Sequence, residues 1–220
     1  MNRLYSFPKS ATFGKLLAKS KIYEHAMPTS SVKALFVAQV EKITWAYKLS
    51  PATINIPASS GVQEIQVFNV VLRTGVLASE ILQTIDNAIP SPILFLLHYR
   101  AKCRYVAAYK RPSETDKTKW VLSHYFETAW TDNSVTKEEL PVVLNMGGLY
   151  EALLKGLIPL SVRENETLDQ LVLRVDQLRI KEREAGKLET QMKKEKQFNR
   201  RVVLNRTLNE LKAEIAELQR

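Results

Sequence analysis

The middle of the chain alternates apolar and polar residues with the period of two that is typical of β-strands. In the stretch 40–49, for example, Ile43, Trp45 and Tyr47 alternate with polar or small side chains. The stretch 63–73 becomes apolar on both faces, which predicts a central strand. Short polar turns separate the last three strands and predict an antiparallel meander. The predicted strands are 40–49, 63–73, 93–99, 103–110 and 120–130.

Helical periodicity occurs before, between and after these strands. Apolar residues at positions 77, 81, 82, 85 and 89 predict a helix that ends at Pro90. Further helices are predicted at 31–39 and 149–158. Near the N-terminus, Phe13, Leu16 and Leu17 predict the inner face of a helical lead-in. Residues 1–160 are therefore predicted to form an α+β domain, with one mainly antiparallel sheet of about five strands and helices packed on it.

Residues 163–220 have the pattern of a coiled-coil-like helical arm. Five apolar residues are spaced alternately by four and three positions, which gives the seam that one helix presents to another. Between about 181 and 201 this seam is poor, and Gly186 weakens the helix there. This interruption predicts two helices, folded into an antiparallel hairpin around 186–198, and one long bent helix is the alternative. The arm is predicted to bind a partner or to self-associate through Leu204, Leu208, Leu211, Ile215 and Leu218.

Charge and composition narrow the classes of partner. The chain has 220 residues with a net charge of +9, and both parts contribute to this excess. Such a balance favours contact with nucleic acid or with an acidic protein face. No apolar stretch approaches the roughly twenty residues that span a bilayer, and the N-terminus lacks the apolar core of a signal peptide. The single cysteine, Cys103, excludes an intramolecular disulfide. We therefore expect a cytoplasmic protein without a membrane partner.

One pair of residues suggests metal-dependent chemistry. Glu64 and Gln66 are two positions apart on a predicted central strand, as are the polar groups with which many nucleases hold a divalent cation. Gln66 stands where such sites usually have a lysine, and Glu41 is the nearest candidate for a second acid. A solvated strand face is the interpretation that we prefer. We predict no catalytic residue, no metal site and no cofactor, and the sequence favours a protein without enzymatic activity.

Basic residues alternate with tyrosines around the fourth predicted strand. Cations that bind phosphates, next to rings that stack on bases, are common on nucleic-acid-binding surfaces. The alternative is an ordinary edge hairpin in which Tyr105 and Tyr109 point inward while Arg104 and Lys110 point outward. The candidate nucleic-acid contacts are Arg100, Lys102, Arg104, Lys110 and Arg111.

Several segments together resemble a known bacterial family. They are ITWAYKLS at 43–50, TINI at 53–56, EIQVF at 64–68, IDNAIP at 85–90, AYK at 108–110 and FNRRVVLN at 198–205. This set is similar to the family catalogued as domain of unknown function 4391. The resemblance implies an origin near DNA helicases and methyltransferases in restriction-like or antiphage loci, and it implies no catalytic residue.

These observations combine into one functional expectation. We expect a non-catalytic accessory subunit of a bacterial DNA-defence or restriction-type complex. Its arm would bind a helicase or methyltransferase subunit or a second copy of the chain, and its basic surface would contact nucleic acid. The alternatives are a metal-dependent nuclease that uses Glu64 and a stand-alone nucleic-acid-binding module.

Overall fold

A computed structural model describes residues 4–113, 115–116 and 120–220. The chain divides into two units, Met1–Ile158 and Pro159–Arg220, which we call the body and the arm. Helices and strands together give the body a mixed α+β architecture, as predicted. In the part of the chain that the structure describes, no helix is both long and apolar enough to cross a membrane.

The body is built on a seven-stranded sheet and a separate two-stranded pair. The strands are β1 Tyr5–Ser6, β2 Thr12–Leu16, β3 Val40–Leu49, β4 Ile65–Leu72, β5 Ile93–Tyr99, β6 Lys102–Pro112, β7 Trp120–Glu127, β8 Thr131–Asp132 and β9 Glu138–Glu139. The large sheet has the order β2-β3-β4-β5-β6-β7, in which β8 also pairs with β6. All five predicted strands are present, and β2 and β8 raise the count beyond the prediction.

The direction of the strands is mainly antiparallel. Along the large sheet, only β4 and β5 are parallel neighbours, because the chain crosses over between them. The separate pair, β1 with β9, is also parallel. The predicted meander of the last three main strands is confirmed, since β5, β6 and β7 pair in antiparallel order.

Helices cover one face of this sheet with a continuous apolar core. Phe68 and Val70 of β4 pack in this core with Phe36, Ile81 and Ile85 from the helices. Burial of such side chains is the main contribution to the stability of the body. The helices of the body are α1 Lys19–Ala26, α2 Ser30–Gln39, α3 Pro51–Ile54, α4 Ser79–Ala88 and α5 Met146–Lys155.

The predicted helical lead-in at the N-terminus is wrong. Residues Thr12–Leu16 form β2 and pair antiparallel with β3, with an irregular register between Thr12 and Lys15. Gly14, at φ +66°, lies in this irregular stretch, where glycine adopts the left-handed region without a steric penalty. The edge of β3 offers backbone hydrogen bonds that a local apolar pattern does not reveal. Residues Thr12–Leu16 form a strand because they pair with this edge.

The arm is an antiparallel hairpin of two helices, α6 Leu168–Lys194 and α7 Phe198–Gln219. Thr167 caps α6 reciprocally with Gln170, which satisfies backbone groups at the start of the helix. The antiparallel direction follows from the ion pairs, since Lys181 contacts Glu214 while Lys212 contacts Glu189. The inner seam is formed by Ala185, Leu208 and Leu211, together with Leu188, Met192 and Ile215.

Candidate functional site

A buried ion pair joins the end of α4 to strand β6. The Lys110 and Asp86 side chains are 1% and 3% exposed, respectively. The Lys110 ammonium donates to the backbone oxygens of Asp86 at 2.6 Å and of Ile89 at 2.5 Å, and it lies 3.5 Å from Asp86 Oδ1. Because the carbonyls at the end of a helix carry partial negative charge, this ammonium both caps α4 and neutralises the carboxylate.

Two tyrosines complete this cluster. Tyr125 of β7 donates its hydroxyl to Asp86 Oδ2 at 2.6 Å. The Tyr150 hydroxyl of α5 accepts the backbone N–H of Lys110 at 2.8 Å and donates to the backbone oxygen of Ala108 at 2.9 Å. These bonds connect α4, α5, β6 and β7. The cluster therefore ties α4 and α5 to the sheet.

Burial dominates the electrostatics of the cluster. It raises the pKa of the Asp86 carboxyl to about 6, although Lys110 and the Tyr125 hydroxyl act in the opposite direction. Burial also lowers the pKa of Lys110 and raises the pKa of Tyr125. A pKa of about 6 is unusually high for an aspartate carboxyl group. Both of its oxygens are engaged within the cluster.

A second polar cluster lies where β4 begins. Lys48 contacts Glu64 Oε2 at 2.6 Å, and the Gln66 amide donates to Glu64 Oε1 at 2.7 Å. The Trp45 indole N–H donates to Gln66 Oε1 at 2.8 Å. Gln66 is only 1% exposed, so the interpretation of a solvated strand face is wrong for this residue. Burial of this amide is tolerated because its oxygen accepts a hydrogen bond and its nitrogen donates one.

The structure separates Glu64 from the acid that the sequence suggested beside it. β3 and β4 are antiparallel, with Val40 opposite Leu72 and Leu49 opposite Ile65. Glu41 therefore lies at the far end of the strand pair from Glu64, about eight residues or roughly 25 Å away. Within residues 4–113, 115–116 and 120–220, no group of three or more His, Cys, Asp or Glu is placed to hold a metal ion.

The predicted nucleic-acid contacts occupy different environments. Arg100 and Lys102 are exposed near the turn between β5 and β6, and Arg111 is half-buried. Arg104 pairs with Glu127 at 2.8 Å and stacks over the Trp130 ring, with its guanidinium 4.7 Å from the ring centre. The structure thus brings only Arg100 and Lys102 together on an open surface.

The expectation that Lys110 points outward is wrong. Tyr105 on the same strand is buried as predicted, but Lys110 is buried on the opposite face of the sheet beneath the end of α4. Both faces of β6 are covered by other parts of the body. The alternation of side chains along a strand shows which residues share a face, but it does not show whether that face is exposed to solvent. The segments IDNAIP and AYK contained Asp86 and Lys110, but no local pattern pairs residues that lie on separate elements.

The seam predicted for partner binding lies partly inside the arm. Leu208 and Leu211 are buried against α6, whereas Leu204, Ile215 and Leu218 are half-buried. Other apolar side chains of the arm remain exposed. They are Val162 before α6, Leu173 and Ile180 on α6, and Phe198, Val202 and Val203 on α7.

Nearly the whole length of the chain matches a known protein family. The model of the family described as "Domain of unknown function (DUF4391)" matches residues 6–215. The chain belongs to this family. No curated protein and no solved structure matches the chain.

The DUF4391 match confirms the resemblance carried by the sequence segments. It extends across both units, so the arm is part of what defines the family and not an addition peculiar to this chain. The DUF4391 region includes the Asp86–Lys110 cluster, the Glu64–Gln66 cluster and almost all of α7.

Proposed function

We propose that this DUF4391 protein is a non-catalytic accessory subunit of a bacterial DNA-defence or restriction-type complex, working in the cytoplasm. In this role its arm binds a helicase or methyltransferase subunit. The observation that carries the proposal is the exposed apolar surface at the turn between α6 and α7, which we call the tip. Phe198 is 77% exposed there, with Val203 at 65% and Val202 at 53%.

The tip resembles a protein-binding surface in its composition. It exposes one aromatic side chain, Phe198, between polar neighbours, and such a combination is typical of protein-binding patches. Residues 191–206 contain six basic residues and one acidic residue, whereas the rest of the arm has slightly more acidic than basic residues. Positive charge is thus concentrated around Phe198, which favours a partner with an acidic face.

Docking at the tip differs from docking at the seam that the sequence predicts, Leu204, Leu208, Leu211, Ile215 and Leu218. Leu208 and Leu211 pack inside the hairpin and are needed to hold α7 on α6. Phe198, Val202 and Val203 make no contribution to that buried seam and are free to meet another protein. Leu204 lies between the two groups and lines the hollow beside the tip.

Affinity purification from the native organism tests this proposal. The full chain, tagged and kept at moderate salt, should retain a helicase or methyltransferase subunit that mass spectrometry identifies. The double variant Phe198→Glu/Val202→Glu, on one face of α7, should lose this partner, since charge at the centre of a desolvated patch is strongly unfavourable.

A matched control is available on the same unit. Leu173→Glu/Ile180→Glu also replaces two exposed apolar residues of the arm, but away from the tip. It should keep the partner, and circular dichroism should show equal helix content in both double variants. Retention of the partner by the tip variant, or equal loss in both variants, would contradict the assignment of the tip. Copurification of nucleic acid alone would favour the stand-alone binding module.

A further inference from the structure

A small cavity lies within the body on the sheet face opposite α1, α2 and α4. Its volume is about 200 Å³. The floor contains Asn69 and Tyr47, and Phe7, which directly follows β1, lines the cavity from above. The pairing of β1 with β9 closes the roof, where the Glu138 N–H donates to the Leu4 oxygen at 2.7 Å.

Asn69 is the unusual residue of this floor. Its side-chain oxygen is buried and accepts no hydrogen bond from the part of the chain that the structure describes. Its neighbours on the same face of β4, Val67 and Val71, are apolar. A buried acceptor without a partner is unfavourable, so an apolar residue would stabilise the fold better at this position. An N–H or O–H group of a ligand would satisfy the Asn69 oxygen.

Aromatic rings shape the walls around this acceptor. The Phe7 and Tyr47 rings are stacked, with centroids 4.6 Å apart and an interplanar angle of 28°. Tyr5 and Tyr105 form a second ring pair, with centroids 5.8 Å apart. All four rings line the cavity. Flat aromatic surfaces beside a primary amide suit a planar heterocycle. The heterocycle can stack on the aromatic rings while the amide forms hydrogen bonds with the polar atoms at its edge.

The charge of the lining restricts the ligand further. No Asp or Glu is among the described residues that line the cavity, and Lys137 contributes an exposed ammonium at its rim. Burial lowers the pKa of His98 against an opposing hydrogen bond with Asn133, and the Lys137 charge acts in the same direction as burial. Burial raises the pKa of the Cys103 thiol, which disfavours covalent chemistry there. The lining therefore favours a ligand with an anionic group at the rim.

We propose that this cavity binds a nucleoside 5′-monophosphate, with the base inside against Asn69 and Tyr47 and the phosphate at Lys137. The volume corresponds to about seven water molecules, which suits one heterocyclic base and leaves the ribose and phosphate at the rim. This inference concerns the body alone and does not depend on the partner proposed for the arm.

Isothermal titration calorimetry with the full chain tests the proposal. The titrants are AMP, GMP, CMP and UMP, each compared with inorganic phosphate. At least one monophosphate should bind, and inorganic phosphate should bind at least about tenfold more weakly because it lacks the base. Equal affinity for inorganic phosphate would overturn the proposal, as would the absence of binding by all four monophosphates at millimolar concentration.

Variants at the two ends of the cavity make the test specific. Asn69→Leu removes the amide and should weaken binding by at least about tenfold, whereas Lys137→Gln should weaken it about three- to tenfold through loss of one charge–phosphate contact. Lys137 is exposed, so that variant stays informative even if Asn69→Leu fails to fold. Lys42→Gln, an exposed lysine outside the cavity on β3, is the matched control and should bind like the wild type. Wild-type affinity in Lys137→Gln or in folded Asn69→Leu would overturn the proposal.

Discussion

The body and the arm each contain an acid–base pair with little exposure, but the two pairs are built differently. In the body, Asp86 meets the single ammonium of Lys110 at 3.5 Å, and burial raises the pKa of its carboxyl. In the arm, Arg174 donates to both oxygens of Glu166, at 2.7 and 2.8 Å, and these hydrogen bonds lower the pKa of Glu166. The sign of each pKa shift follows from the larger of two opposing effects: desolvation outweighs the bonds to Asp86, whereas the Arg174 hydrogen bonds outweigh the weaker desolvation of Glu166.

The two pairs also differ in the cation, which is a lysine in the body and an arginine in the arm. The planar guanidinium of Arg174 binds a carboxylate with two parallel bonds and still reaches the backbone oxygens of Ser161 at 2.6 Å and Leu218 at 2.7 Å. The Lys110 ammonium instead gives its shortest bonds to backbone oxygens at the end of α4, and its carboxylate contact is the longest of the three. The body pair therefore mainly anchors a helix, whereas the arm pair links the start of α6 to the end of α7.

Removal of the body cation should have the largest effect. Lys110→Met leaves Asp86 buried without a cation and two backbone oxygens without a donor. We expect the free energy of unfolding to fall by about 3–5 kcal/mol, as for other broken buried pairs. Urea unfolding measures this change. The control Lys102→Met, an exposed lysine on the same strand, should change it by less than about 0.5 kcal/mol. Equal effects of the two variants would show that the cluster does not anchor α4.

Truncation inside the arm should have the next largest effect. Leu208 is 3% exposed in a small helix–helix seam. Leu208→Ala should destabilise the arm by about 2–3 kcal/mol through lost burial and a residual cavity. Circular dichroism of the full chain during urea unfolding should show helix loss at lower urea concentration. Val202→Ala on the exposed side of α7 should leave the curve unchanged within about 0.5 kcal/mol. If Leu208→Ala behaved like this control, the two helices would not depend on their shared seam.

The two pairs should respond oppositely to pH. The raised pKa of Asp86 means that the folded state binds this proton more tightly than the unfolded state does. Its contribution to stability is full below about pH 4 and is lost as the pH rises through about 6. The lowered pKa of Glu166 gives a contribution that is present above its unfolded pKa and is lost as the pH falls.

Urea unfolding at pH 4 to 7 separates these two contributions. The fall in the free energy of unfolding between pH 4 and 6 should be smaller in Asp86→Asn, by on the order of 1–3 kcal/mol. Glu166→Gln should leave the change between pH 5 and 7 almost unchanged and should reduce the loss of stability as the pH falls below about 5. A steeper fall in Asp86→Asn would contradict the raised pKa of the Asp86 carboxyl.

Local patterns predicted the elements whose own side chains repeat with a clear period. The stretch 40–49 was assigned correctly as β3, and the helix predicted at 31–39 is α2, because side-chain periodicity is a property of a single element. β2 was missed because its stability comes from pairing with β3 and not from its own pattern. Asn69 looked like an ordinary strand residue, since nothing in the sequence reveals that a cavity lies above it.

The sequence by itself determined the α+β class of the body, the positions of its main strands, the helical nature of residues 168–194 and 198–219, and membership of DUF4391. Only the tertiary structure shows which apolar face packs against which neighbour. In it Lys110 is buried beside Asp86, Leu208 packs between the two helices of the arm, and Phe198 is exposed. The physical reason is that periodicity reports how one element divides into faces, whereas burial and pairing depend on elements that are distant in the chain.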